Sequence, residues 1–447
     1  MPTKLKSYSF WSCIIITLIF TATALNCGRW KTCTLIQWDQ SGYNLYLTGL
    51  IINNDLKHHY YYDQIDISYS PTQSIKRYGL NKHPATGHEI IKYPCGVAIF
   101  QLPLFLIAHY YCKWSGDHPD EGYSIPYQLA MTFSTILFSL LGLLFLRAFL
   151  LSYFKERTVT IVLLAIGFGT NFYYYGAYEQ GMSHNYLFFL YAALLYYFGK
   201  WFEFPNHKMA IIIGLLTGLT ILTRPTDVTI LLIVFLWVGW KDLWPFCIKN
   251  YKYILSFGIV IGLVTSIQLV YWKYLTGQWV YYSYTYEKFE FLNPHIYKGL
   301  FSYRKGWFVY TPLALVGFLG FLYSMKESHW KFYVKPVFIL LLLNIYIVFS
   351  WKAWFYGGSF GCRAMLQSLA LLAFPLASLI EFVNNRMKLV YKSALLFTII
   401  VCVVLNIFQS YQYHLTLIHY DKMNKEYYWK VFGKLHISDE DRQLLNQ

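Results

Sequence analysis

Long apolar runs separated by short basic loops constrain this chain more than any other feature. After an N-terminal run from about Phe10 to Leu25, further runs lie near 126–149, 158–178, 185–202, 209–223, 226–240, 253–275, 308–324, 333–350, 363–382 and 390–410. A helix needs roughly 20 apolar residues to cross the hydrocarbon core, and backbone in lipid must bond to itself. The pattern predicts an all-α, polytopic membrane protein with about 11 transmembrane helices. Of the 447 residues, 56% are hydrophobic and only 13% charged, too few charges to cover the core of a water-soluble protein this long.

The net charge of +15 would suit nucleic acid if it were gathered in one patch. It is not, so no nucleic-acid partner is expected. The basic residues form small groups: Arg147, Lys155 and Arg157; Lys200 and Lys208; Lys241, Lys249 and Lys252; Lys326, Lys331 and Lys335; Arg386, Lys388 and Lys392. The positive-inside rule puts all of these loops on the cytoplasmic side of the inner membrane. Lys4 and Lys6 put the N-terminus there too, ahead of an uncleaved first helix, because Asn26 suits signal cleavage poorly.

This topology requires that 95–111 not cross. It is expected along the outer interface or as a re-entrant segment, broken at Pro94 and Pro103. A membrane domain spanning 1–410 then carries outer segments 27–125 and 276–307, with 411–447 as a short outer tail. The eight cysteines form no CxxC pair, which removes zinc and thioredoxin readings. Cys27, Cys33 and Cys95 fall in the first outer segment, where an oxidising compartment permits a disulfide among them.

The ionisable groups that look misplaced gather at the outer ends. Asp39 follows Trp38 just beyond the first run, where its carboxylate suits a general base for an acceptor hydroxyl or an N-cap for the run from Tyr43. Lys92, in Lys92-Tyr93-Pro94, can neutralise a phosphate or snorkel beside an interfacial helix. Glu179 and His184 flank a helix junction, fit to bind a sugar hydroxyl or a metal, or simply to make a wet turn; their spacing is no metal pattern. Arg224 ends a run before Pro225 and needs either Asp227 or a phosphate as partner. In Gly357-Gly358-Ser359-Phe360-Gly361-Cys362-Arg363, glycines leading into a helix N-terminus favour an anion that Arg363 could grip in two places. Arg304 and Lys305 face the same side, and Tyr281, Tyr282, Tyr284, Tyr286 and Tyr297 crowd the second outer segment.

From Trp38 to about Phe382 the chain resembles the GT-C superfamily of membrane glycosyltransferases. Within it the chain resembles bacterial enzymes of the dolichyl-phosphate-mannose protein mannosyltransferase and lipid A aminoarabinose transferase types. The resemblance rests on Asp39, on Lys92-Tyr93-Pro94, and on Leu222-Thr223-Arg224-Pro225-Thr226. It also rests on Gly299-Leu300-Phe301-Ser302 leading to Tyr310-Thr311-Pro312, and on the glycine segment ending at Arg363. It implies a GT-C-like bundle that moves a hexosyl or pentosyl group, with inversion, from a polyprenyl-phosphate donor to a lipid, glycan or protein. Asp39 would be the base; Lys92, Arg224, Arg304 and Arg363 would hold the donor phosphate; Trp38, Glu179 and His184 would contact sugar or acceptor. Many relatives have an acidic pair in the first loop where this chain has Asp39-Gln40, so a divalent metal is an option and not a requirement.

The rival readings are a transporter or flippase of lipid-linked sugars and a surface-polysaccharide ligase or polymerase. The first would place ionisable residues at mid-membrane in repeated halves. The second would carry its Arg and His on a large late outer loop, whereas the largest outer segment here comes first.

Overall fold

Helix α1 (Tyr8–Cys27) shows how local chemistry sets the elements: Ser7 caps it by accepting from the Phe10 N–H, and Gly28 stops it at φ 71°. The computed structural model describes residues 7–72, 75–239, 241–325 and 331–446, the side chains of 331–333 and 446 excepted. Lys4, Lys6, Lys326 and the Lys331 side chain lie outside the described residues.

The first outer segment is ordered into α2 (Trp38–Leu47), a π-helical stretch over Thr48–Ile52, and α3 (Tyr62–Tyr69). An antiparallel pair follows, β1 (Leu80–Lys82) with β2 (Glu89–Ile91), Leu80 opposite Ile91. Next comes α4 (Gly96–Ser115), where the expected break is not found: Pro103 lies inside one unbroken 20-residue helix. A proline removes one helical hydrogen bond, which close neighbours can offset. Those neighbours are present, since α4 packs on α2, on α5 (Ile125–Leu150) and on helices further along the bundle.

The run at 158–178 is two helices, α6 (Glu156–Gly169) and α7 (Phe172–Ala177), because Thr170 is fully extended between them. Then come α8 (Ser183–Glu203), α9 (His207–Thr223), a 3-10 stretch over Pro225–Leu231, α10 (Leu232–Val238), α11 (Leu243–Lys249) and α12 (Tyr251–Thr276). Short α13 (Ile296–Phe301) and α14 (Trp307–Tyr310) precede α15 (Pro312–Ser324), so the run at 308–324 breaks at Thr311, just ahead of its proline. The remaining helices are α16 (Lys331–Phe349), α17 (Ser368–Arg386), α18 (Leu389–His414), α19 (Lys425–Val431) and α20 (Asp439–Gln443).

Among the described residues five helices are long and apolar enough to cross a membrane: α1, α5, α12, α17 and α18. A sixth counts if the stretch Pro225–Val238 and α11, bent by 102°, form one span; α9, α15 and Val334–Phe349 are shorter apolar helices. Helix α8 is the hub, buried almost throughout and packed on α5, α9 and α17. The most apolar window of α17 is 78% buried, whereas that of α12 is 6% buried, so α12 turns Leu255, Ile259 and Leu263 outward. Such a face suits lipid and not water. All eight cysteines are free, so none of the disulfides open to Cys27, Cys33 and Cys95 is formed: Cys95 is buried at the head of α4, and the Cys27 sulfur faces His414.

Candidate active site

Asp39 sits in the first turn of α2, where the helix dipole favours a negative charge. It is not the cap: that position is Gln37, and the Asp39 carboxylate accepts from side chains instead. Its Oδ1 accepts from the Tyr93 hydroxyl at 2.6 Å and the Tyr78 hydroxyl at 3.3 Å, and its Oδ2 accepts from Arg363 at 2.8 Å. A glycine at position 42 makes this possible, since a Cβ there would collide with the Tyr93 ring. Burial by itself would raise the Asp39 pKa. Arg363 beside it, then the Tyr93 hydroxyl, Lys92 and Tyr78, outweigh burial and hold the carboxyl below its ordinary value of 3.8. Burial and the same carboxylate push the Tyr93 phenol well up, so it remains a donor.

Arg363 arrives from the far end of the sequence. Gly357 and Gly361 take φ of 66° and 57°, a region that favours glycine. The Asn171 amide then pins the Cys362 carbonyl at 3.2 Å, and the Phe360 N–H donates to the Tyr175 hydroxyl at 3.0 Å. One expectation fails here. Arg363 opens a short 3-10 turn, and α17 begins only at Ser368. The amides of Ser359 and Phe360 are spent on Tyr420 and Tyr175, so the guanidinium and not a helix N-terminus is the group able to meet an anion.

Arg224, the C-cap residue of α9, donates to His184 Nδ1 at 2.9 Å and to the Ala364 carbonyl at 3.2 Å. Its Nε lies 3.8 Å from Asp227, a looser partnership than the one with His184. Accepting at Nδ1 makes His184 a neutral imidazole with its proton on Nε2. Arg224 and Arg363 are thus joined through the backbone of 363–364. Asp39, His184, Arg224 and Arg363 form one cluster.

The other expected site residues are distributed differently. Lys92 ion-pairs with Glu287 of the second outer segment, its ammonium 5.2 Å from the Tyr284 ring, and reaches Asp39 only through its field. Glu179 is half-buried and acts electrostatically on Arg363 and Lys305. Trp38, exposed and at φ 47°, sets its ring edge-on to Tyr78 at 5.3 Å. Arg304 does not join the cluster. It pairs with Asp421 at 2.8 Å and stacks on Phe355 at 3.5 Å, so it holds the tail instead. Lys305 is 2% exposed and donates to the carbonyls of Ser359 and Tyr420.

Sequence reasoning passed over Tyr78, Tyr93 and Tyr43. Tyr43, on the opposite face of α2 from Ser41, lies in the field of Asp39, Arg363 and Arg224, and burial first, then Asp39, pushes its phenol up to about 12. With 43 tyrosines in the chain, none stands out; only the Lys92-Tyr93-Pro94 motif pointed to one of them. A divalent metal fits this donor set poorly: Asp39 is a single carboxylate with both oxygens engaged by donors, and no group of three or more His, Cys, Asp or Glu among the described residues could hold an ion.

The helix order and the ordered first outer segment follow a fold seen in solved oligosaccharyltransferases. Over 100% of its length the chain is similar to the oligosaccharyltransferase of Archaeoglobus fulgidus in its apo form, at a TM-score of 0.52 and 11% identity. Over 95% it is similar to archaeal oligosaccharyltransferase AglB from Archaeoglobus fulgidus in complex with an inhibitory peptide and a dolichol-phosphate, at a TM-score of 0.50 and 11% identity. The chain spans 60% and 57% of the lengths of those proteins. No protein-family model and no curated protein matches it.

Proposed function

We propose that this protein transfers a hexosyl or pentosyl group, with inversion, from a polyprenyl-phosphate donor to an acceptor at the outer face of the cytoplasmic membrane. The observation that carries the reading is the ionised Asp39 held between Tyr93 and Arg363, with Arg224 and His184 joined to the same turn. The dolichol-phosphate bound by the archaeal neighbour supports a lipid-linked donor here. So does a helical bundle in which an isoprenoid tail can stay in lipid while its phosphate meets guanidinium groups.

As the sugar–phosphate bond breaks, the anomeric carbon gains oxocarbenium character and the phosphate gains charge. Arg363 and Arg224 have N–H groups beyond those used on Asp39, His184 and Ala364, and positioned donors of this kind often supply the largest catalytic term. A carboxylate held below its ordinary range is a weak base. It takes the acceptor's proton late, once the new C–O bond has made that oxygen acidic. Donor binding helps: a phosphate drawing Arg363 off Asp39 removes the strongest charge holding the carboxylate down, so the base strengthens when the donor is in place.

The test uses purified protein in nanodiscs with radiolabelled polyprenyl-phosphate sugars, following loss of sugar from the lipid in wild type and Asp39→Asn. Loss that depends on Asp39 supports the transfer and names the donor. Lipid binding without loss from any donor overturns it in favour of a flippase.

A further inference from the structure

A cavity of about 320 Å³ lies on the far side of α2 from Asp39, and nothing in the transfer site uses it. Successive helical residues point about 100° apart. Asp39 and Tyr43 therefore share one face of α2, while Ser41, Asn44 and Thr48 share the opposite one. On that opposite face Ser41 Oγ bonds the hydroxyls of Tyr62 and Tyr123 at 2.8 and 3.0 Å, and Thr48 bonds the Tyr61 hydroxyl at 2.9 Å. These bonds seat α3 and the 119–123 turn against α2. The cavity lies between them, walled by Gln64, Ile65, Ser68 and Tyr69 of α3 and by Glu121. Gln64 and Ser68, one turn apart, stand exposed at its mouth.

Glu121 gives the cavity its chemistry. One carboxylate oxygen accepts from the Tyr69 hydroxyl; the other is buried and has no hydrogen-bond partner. A buried carboxylate oxygen without a donor is costly, so a ligand hydroxyl that reaches this carboxylate relieves that cost. Among the described residues the lining holds a carboxylate and no Lys, Arg or His, a poor match for a phosphate. A carboxamide, a hydroxyl and a carboxylate beside tyrosine and proline faces match a ring that carries several hydroxyls on an apolar body.

We propose that this cavity is a subsite for a neutral sugar ring, whose hydroxyls donate to the unpartnered oxygen of Glu121 and exchange hydrogen bonds with Gln64 and Ser68. Being on the reverse of α2, it holds a glycan away from the point of transfer. It stands independently of the proposed reaction.

Saturation-transfer NMR on the full chain in nanodiscs tests it, with methyl glucoside, galactoside and mannoside as probes and choline as a cationic control. At least one glycoside should receive saturation from the wild type. Glu121→Gln should weaken that binding about ten-fold or more, by loss of a charge-assisted hydrogen bond. Ser68→Trp, at an exposed position that tolerates a large side chain, should abolish it by filling the mouth. Asp39→Asn should bind as the wild type does, so failure of the transfer reading leaves this result standing. No glycoside contact in the wild type, unchanged contact in both cavity variants, or contact with choline alone overturns the proposal.

Discussion

Arg363 and Arg304 invite comparison because both sit in aromatic, glycine-flanked outer segments and both face a carboxylate at 2.8 Å. Their surroundings separate them. Arg363 and Asp39 keep only 13% and 15% of their side chains exposed, inside a cleft with Tyr93, His184 and Arg224. Arg304 and Asp421 keep 32% and 29%, on the surface where the tail meets the 301–307 loop. The same pair of groups is an electrostatic tool in the first place and a fastener in the second. Dryness and neighbours decide which, because exposed ion pairs are screened and buried ones much less so.

The comparison can be broken in several ways, the largest effect first. Asp39→Asn should slow transfer by about 10²–10⁴-fold while the protein stays folded and inserted, as radiolabel transfer and thermal melting would show. Full activity in that variant removes Asp39 as base. Arg363→Ala and Arg224→Ala should each cost about 10²–10³-fold. Donor binding should fall more than acceptor binding; equal losses would make Arg363 a structural residue like Arg304.

Lys305→Met tests the fastener side. It leaves the carbonyls of Ser359 and Tyr420 without their buried donor, a destabilisation of about 1–3 kcal/mol in the melt. Burial pushes the Lys305 ammonium from 10.5 down to about 7. Between those values the unfolded chain keeps a proton that the folded one sheds, so its contribution makes stability rise with pH from about 7 towards 10.5. A melting midpoint measured across that range should lose this slope in Lys305→Met.

Arg304→Ala should cost only about 1 kcal/mol, from a half-exposed pair and a cation–π contact, with transfer changed by a few-fold at most. A loss as large as that of Arg363→Ala would erase the distinction. The smallest expected effect is on the acid side of the rate profile. With Asp39 held below 3.8 in the donor-free enzyme, kcat/KM for the donor should stay flat down through about pH 5, and an Asp39 limb above its ordinary value in that profile would contradict the Arg363 pairing.

Much of the cluster was legible because each of its charges is anomalous where it stands. Asp39 beside the first apolar run, Arg224 at a helix end before proline, and Arg363 after three glycines cost too much at a membrane edge to be idle. Arg304 looked the same by that criterion, since its partner Asp421 lies 117 residues away and no local pattern announces it. Tyr93 and Tyr78 stayed hidden for the opposite reason: tyrosine is ordinary at a membrane interface, and only the collision that Gly42 avoids shows why one ring reaches Asp39. The break at Thr170 and the continuity of α4 through Pro103 were also unreadable, because neighbouring helices decide whether backbone groups freed at such points find partners.

The sequence by itself determined the solvent of this protein, its helical class and the end of the bundle where charge collects, since hydropathy and charge are local properties summed along a chain. Tertiary structure alone decided that Asp39 meets Arg363 across 324 residues, that Arg304 meets the tail, and that α2 carries a charged cluster on one face and a polar cavity on the other. Partnership depends on which segments fold over one another, and a side chain's chemistry depends on how much water that folding leaves beside it.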